Sequence, residues 1–341
     1  MRTSSRHQSH RQWATANHTA WMIRSAASLL SGGRANNRHL LVLCYHRVLP
    51  EPDFMRPYEM HAEVFEQHMA VLRDSFTVLP LANAIRLMQE GQLPRGAVSI
   101  TFDDGYADNV TVALPILRKH GLEATVFVAA GFLDGGQMWN DSIREIVRRV
   151  PCDRLDLHRL GLDTYEIGSS YQRYSVAERI LAQLKYFPLE QREQAVYRLL
   201  ELLQIDLPNN LMMSSRQLTV WLAAGMDLGA HTMHHPILTT IPADKAIDEI
   251  VESKVLLEER CGRPVRLFAY PNGRPVKDYD RTHIKAVQSA GFEAALSTAP
   301  GVMRRGRDLF QIPRIAPWTE SATRFGFRMA SGYLRRRAAC A

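Results

Sequence analysis

Two short stretches of this 341-residue chain bring together side chains of the kind that do chemistry. The run Ile100-Thr101-Phe102-Asp103-Asp104-Gly105-Tyr106 sets two adjacent carboxylates at the end of an apolar segment, with Gly105 allowing a tight turn. Neighbouring carboxylates repel, so a partner cation is expected, and a bound metal would let one act as ligand while the other stays free as a base. Taken alone, the same residues could simply cap the next helix. The second stretch, Gly229-Ala230-His231-Thr232-Met233-His234-His235-Pro236, carries three of the chain's 13 histidines. His231 and His235 stand four apart, a spacing that puts both imidazoles on one face of a helical turn. Two histidines and one aspartate form a ligand set that leaves positions open for water and substrate, which is the mark of a catalytic site.

These residues must be positioned by the elements before them. Leu40 to Tyr45, Ala97 to Phe102 and Ala124 to Ala129 are short continuous apolar runs of the kind that buried parallel strands show. Further strands are expected at Val78-Leu79, Met226 to Ala230, Arg266 to Tyr270 and Ala294 to Ser297. Helical patterns lie between them, for example Leu114 to Gly121, Ser215 to Ala224, Ala243 to Arg260 and Asp280 to Ala290. Some seven strand–helix units imply an α/β fold with a parallel sheet, either a barrel or a doubly wound sheet. Residues 142–215 break the rhythm and read as a helical insertion. Tyr45-His46, Asp103-Asp104, His231 to His235 and Tyr270-Pro271-Asn272 each fall at or just after a strand end, the edge where parallel α/β folds build active sites.

With YHRV at Tyr45 to Val48, TFDDGY at Thr101 to Tyr106 and HTMHHP at His231 to Pro236, residues 40–318 resemble the polysaccharide deacetylase domain (NodB homology, carbohydrate esterase family 4). The resemblance implies a deformed TIM-like (β/α)7 barrel and a divalent metal, usually zinc. It implies removal of N-acetyl, or O-acetyl, groups from carbohydrate. Carried over by motif, Asp104, His231 and His235 are the expected metal ligands, and Asp103 the base that activates water at the metal. The alternative is a carbohydrate-binding relative of the same fold without activity.

Two departures from the family pattern matter. The third motif, usually Phe-Arg-x-Pro-Tyr-Gly, stands here as Phe268-Ala269-Tyr270-Pro271-Asn272-Gly273, so Ala269 replaces the arginine that orients the base. Arg314, in Ile312-Pro313-Arg314-Ile315, is the expected substitute, and the oxyanion donor becomes the backbone N–H of Asn272. The C-terminal Leu-x-His motif that supplies the general acid is missing. His46 is the expected replacement, as in exopolysaccharide enzymes of the family with a Tyr-His at the first strand. Tyr106, Trp139, Tyr270 and Trp318 are aromatics near the motifs. Trp139, read as part of a polar loop, is the strongest sugar-stacking candidate, and Tyr106 and Tyr270 are further substrate-binding candidates. His234 is read as a neighbour of the ligands.

The formal charge of +7 is unevenly placed. Residues 1–50 hold seven arginines and no acid, and residues 321–341 hold five more and no acid. Removing those twelve from the 42 basic residues leaves 30 against 35 acids, a net −5 for the body. The reading is therefore a basic N-terminal arm (1–38), a catalytic domain (39–320) and a basic C-terminal tail (321–341). Such arms suit peripheral contact with an anionic membrane better than specific nucleic-acid binding. The four cysteines show no pairing pattern and fit reduced thiols. The apolar stretch Ala20 to Leu30 is interrupted by Arg24, too short and polar for a signal peptide or a membrane span, which favours a cytoplasmic, membrane-peripheral protein.

Overall fold

The computed structural model describes residues 18–34, 37–158, 161–185, 187–317, 319–335 and 340–341. Residues 1–17, Trp318, Arg336 and Arg337 lie outside the described residues.

Parallel strands succeed one another around a barrel: β1 (His39–Tyr45), β2 (Ala97–Phe102), β3 (Ala124–Val128), β4 (Asp227–Ala230), β5 (Leu267–Ala269), β6 (Ala294–Pro300) and β7 (Ile312–Arg314). The ring closes just past β7, where Ile315 donates to Val42 O at 2.8 Å and accepts from Cys44 N–H at 3.1 Å. The architecture is thus the expected (β/α)7 barrel. Two short pieces extend the sheet: Met303–Arg304 runs antiparallel to the start of β1, and Thr77–Val78 pairs with the start of β2.

Both faces of these strands are buried, which is why they read as unbroken apolar runs. Alternate residues Leu40, Val42, Phe127, Ala269, Leu296 and Ile312 form one apolar cluster inside the ring. Leu41, Leu43, Tyr45, Phe102, Val126, Phe268 and Tyr270 join the other cluster, against the helices. Gly229 is required by this interior: a Cβ there would lie 2.3 Å from Phe127 Cε1 and 2.9 Å from Leu267 O.

The helices are α1 (residues 18–30), α2 (Ala62–Ser75), α3 (Leu81–Gln89), α4 (Leu114–His120), α5 (Trp139–Arg149), α6 (Ser170–Leu184), α7 (Leu189–Leu203), α8 (Ser215–Ala223), α9 (Ala243–Cys261), α10 (Arg281–Ser289) and α11 (Ala322–Gly332). Their limits follow local chemistry. Gly121 and Gly262 end α4 and α9 in the left-handed conformation, and Ser169, Ser214 and Asp280 start α6, α8 and α10 with reciprocal capping boxes.

The insertion differs from the expectation of a purely helical segment. Its helices α5, α6 and α7 surround an antiparallel pair, Arg154–Asp156 with Thr164–Glu166. Ile143, Ile146, Leu155, Tyr165, Ile180 and Leu199 give it an apolar core of its own. A lattice of charges fastens it to the barrel: Arg56 reaches Asp141 at 2.8 Å and Glu145 at 3.0 Å, and Tyr106 Oη donates to Asp141 at 2.8 Å.

Where they are described, the two basic ends form packed helices. In α1, Ile23 and Ala27 are buried, and in α11 Phe325, Met329 and Ala330 are buried. Gly326 lets the two helices meet, since a Cβ there would fall 2.4 Å from Ile23 Cδ1. Tyr333 Oη donates to Ala97 O at 2.9 Å, and His68 stacks on Phe325 with ring centroids 3.8 Å apart. Counting charge overlooked the apolar positions interleaved with the arginines, and these dock both helices on the barrel.

Candidate active site

Five strand ends converge on one cavity of about 430 Å³. It is lined by His46 after β1, Asp103 and Asp104 after β2, His231 and His235 after β4, Asn272 after β5 and Arg314 at the end of β7. The loops that carry them are sharply wound. Among the described residues only seven non-glycines have positive φ, and Asp104, Thr232, His235 and Asn272 are four of them. Backbone strain concentrated in this way is characteristic of functional sites.

His231 to His235 form a tight loop and not the helical turn expected from their spacing. Thr232 at φ 65° and His235 at φ 53° turn the chain back, and Thr232 Oγ1 accepts from His235 N–H at 3.1 Å. The two rings still meet, with centroids 4.8 Å apart. His234 points elsewhere, bonding Glu249 through Nδ1 at 2.8 Å.

Asp104 Oδ1 lies 3.4 Å from both His231 Nε2 and His235 Nε2. It is buried without a hydrogen-bond partner. His231 Nδ1–H donates to Ala269 O at 2.7 Å, which turns Nε2 toward the carboxylate. Burial opposes a proton on His231, but the charges of Asp103 and Asp104 outweigh it and raise its pKa, which marks a spot that attracts positive charge. Burial lowers the His235 pKa to about 4, keeping that ring neutral and its lone pair available. An orphaned carboxylate oxygen facing two imidazole nitrogens is a donor set that fits a divalent cation.

A second group, Cys44, His46 and Asp103, also clusters within 4.8 Å. It does not fit a metal. Arg314 occupies both carboxylate oxygens of Asp103, Nη1 to Oδ1 and Nη2 to Oδ2, each at 2.6 Å. Burial pushes the Cys44 thiol pKa well up, so it stays protonated. Burial alone would also raise the Asp103 pKa, but the Arg314 charge outweighs it and holds the carboxyl well below the usual range. Arg314 is thus the arginine that pairs with Asp103 in this chain.

His46 sits on the Asp103 side of the cavity. Asn109 Nδ2 donates to its carbonyl at 2.8 Å, and Asp108 ties down the next two residues, accepting from Arg47 Nε at 2.8 Å and Val48 N–H at 3.1 Å. This is the local reason for the YHRV string. Asn272 lies at φ 57°, and its N–H donates to no acceptor among the described residues.

The aromatic candidates separate. Trp139 is the first residue of α5, not part of a loop, and lines a second cavity of about 360 Å³ that shares Asp104, His235 and Asn272 with the first. Tyr106 lines the first cavity, yet its hydroxyl is held by Asp141 and Arg47 lies 4.6 Å over its ring. Tyr270 is corrected: it is fully buried and stacked on Tyr279 at 3.8 Å, because it follows inward-facing Ala269 and so points to the helices. Glu59, in a loop with no distinguishing pattern, lines the cavity beside His46 and was not anticipated. Burial raises its pKa.

With this geometry in view, the comparisons with known proteins are specific. The polysaccharide deacetylase sequence profile matches residues 90–153 and 204–295, which hold β2 to β5 and leave out residues 154–203 of the insertion. These segments belong to the polysaccharide deacetylase family. Within that family the chain is 22% identical over 279 residues to YxkH of Bacillus subtilis (strain 168), covering 81% of this chain and 70% of that protein. Its fold is shared with the Streptococcus pyogenes deacetylase PplD, solved in complex with acetate (18% identity, TM-score 0.59, 86% of this chain and 99% of that one). It is shared also with IcaB from Ammonifex degensii (21% identity, TM-score 0.57, 86% and 97%). The matched polysaccharide deacetylase segments hold Asp103, Asp104, His231, His235 and Asn272, while His46, Arg314, α6 and α7 fall outside them.

Proposed function

We propose that this deacetylase is a metal-dependent hydrolase that removes N-acetyl groups from a polysaccharide, with Asp104, His231 and His235 holding one divalent ion, Zn²⁺ by donor chemistry. The observation that carries this reading is the unpartnered Asp104 oxygen between two imidazole nitrogens, directly beside the Asp103–Arg314 pair. A bound ion of this kind supplies Lewis acidity toward the acetyl carbonyl and lowers the pKa of water.

The chain's own residues do the rest. Asp103 accepts a proton from the attacking water, and Arg314 keeps it ionised and fixed in orientation. The Asn272 N–H lies open to the cavity and donates to the carbonyl oxygen as it gains charge. His46, on the Asp103 side of the cavity, gives a proton to the departing amine as the C–N bond breaks.

Acetate release from an N-acetylated oligosaccharide, before and after chelation and on return of Zn²⁺, tests the reading. Turnover unaffected by chelation would remove the metal from it, and binding without acetate release would leave a carbohydrate-binding relative.

A membrane-peripheral location is proposed on a separate observation. No helix among the described residues is long and apolar enough to cross a membrane. Yet α1 shows Trp21 (63% exposed) and Leu29 (76% exposed) to solvent, beside the arginine-rich N-terminal stretch. Co-sedimentation with anionic vesicles should fall in a Trp21→Ser, Leu29→Ser variant; equal pelleting would sink the idea.

A further inference from the structure

The insertion places an unusual cation beside the site. Four of its other arginines have close partners. Arg144 meets Glu178 at 2.6 Å, Arg148 meets Asp53 at 2.5 Å, Arg149 meets Glu145 at 3.3 Å, and Arg173 donates to the carbonyls of Val147, Val150 and Cys152. Arg192, on α7, is only 4% exposed and yet meets no carboxylate among the described residues. Its Nε is buried without a hydrogen-bond partner. Its guanidinium lies 4.7 Å over the Trp139 ring and lines the cavity of about 360 Å³ that opens onto Asp104 and His235. Burial opposes its charge and lowers its pKa, with the charge of the adjacent Glu193 in partial compensation.

A buried guanidinium without an acid is costly to fold unless something supplies the missing anion. Of the two carboxylates that line this cavity, Asp104 belongs to the proposed metal site and Glu178 is taken by Arg144 at 2.6 Å. The Arg192 charge is therefore left without a carboxylate partner among the described residues of this wall. A planar guanidinium with free donors recognises carboxylate or phosphate through paired hydrogen bonds.

We infer that Arg192, with Trp139, forms a subsite for an anionic substituent, carboxylate or phosphate, on a sugar adjoining the one that is deacetylated. The substrate class is thus an acidic acetylated glycan. This rests on the deacetylase reading for the reaction, but the subsite stands on its own geometry. It assigns the insertion a role in substrate selection: α5 and α7 bring Trp139 and Arg192 together at the mouth of the barrel.

The test compares three N-acetylated oligosaccharides of equal length with the zinc-loaded, full-length enzyme: a neutral chitooligosaccharide, one containing a uronic acid and one containing a phosphate ester. KM for at least one acidic ligand should be roughly tenfold lower than for the neutral one. The arm that gains names the anion. In Arg192→Gln that preference should collapse toward one, and in Arg192→Lys it should be partly restored. Titration calorimetry with the same three ligands gives a readout independent of turnover. If no ligand yields acetate, the reaction assignment fails, while tenfold tighter acidic binding that is lost in Arg192→Gln would still uphold the subsite. Equal KM and equal affinity of the wild-type protein for neutral and acidic ligands would overturn it, as would an acidic preference retained in Arg192→Gln. Because the wild-type comparison decides on its own, misfolding of a variant does not remove the test.

Discussion

Asp103 and Arg314 meet inside the barrel in a two-point ion pair, both bonds at 2.6 Å, with side chains 2% and 1% exposed. They come from β2 and β7, 211 residues apart in sequence, and are brought together by the closure of the ring on β1. Arg314 Nε also donates to Ser297 O at 3.0 Å, so the guanidinium is held from behind.

Removing Arg314 should be severe on two counts. Arg314→Met leaves a buried carboxylate unpaired, and the expected loss of stability is about 3–5 kcal/mol, measurable by urea unfolding. Activity should fall by about 100-fold or more, with Arg314→Lys recovering little because one ammonium cannot make both bonds. A stable, active Arg314→Met enzyme would show that Asp103 needs no such partner.

The proposed ligands predict linked losses of metal and turnover. His231→Ala and His235→Ala should each bind zinc at least about 100-fold more weakly and lose acetate release in step, as measured by metal titration and kinetics. The fold should persist after chelation, because the ligands sit on loops above an apolar barrel that is complete without them. A protein that unfolds on chelation would make the ion structural.

Gly229→Ala tests the barrel interior. The added methyl meets Phe127 at 2.3 Å, and overpacking of this kind costs about 1–3 kcal/mol. Displacement of β4 should also lower activity, since the strand leads into His231. Enlarging the space with Phe127→Leu in the same chain should restore part of both; no rescue would place the damage elsewhere.

His68 makes stability depend on pH. It accepts from Tyr45 Oη at 3.2 Å and donates to Thr319 O at 2.8 Å, and burial lowers its pKa from 6.5 to about 4. The unfolded chain therefore binds the proton first. Stability from this residue is fully present above about pH 6.5 and is lost as pH falls toward 4, a span worth about 3 kcal/mol. Thermal melts of wild type and His68→Gln across this range should converge at the acid end. Parallel curves would show that other groups govern the acid limb.

Much of the site was legible in the sequence because it is written locally. Apolar runs of strand length, each followed at once by Asp103-Asp104, His231 to His235 or Asn272, place these residues on one edge of any parallel barrel. Period-two alternation was equally available, and it would have turned Tyr270 away from the site once Ala269 was assigned inward. Backbone strain at Asp104, Thr232, His235 and Asn272 was not legible, since none of these is glycine.

The sequence by itself determined the strand–helix order, the two acids and two histidines, and the unequal distribution of charge. Only the tertiary structure decided which charges have partners. Ring closure gives Asp103 its arginine, packing of α1 and α11 turns two basic ends into parts of the barrel's coat, and folding of α7 over α5 leaves Arg192 buried beside Trp139 without an acid. Local pattern depends on neighbours along the chain, whereas the pairing of a buried charge depends on which distant elements the core brings into contact.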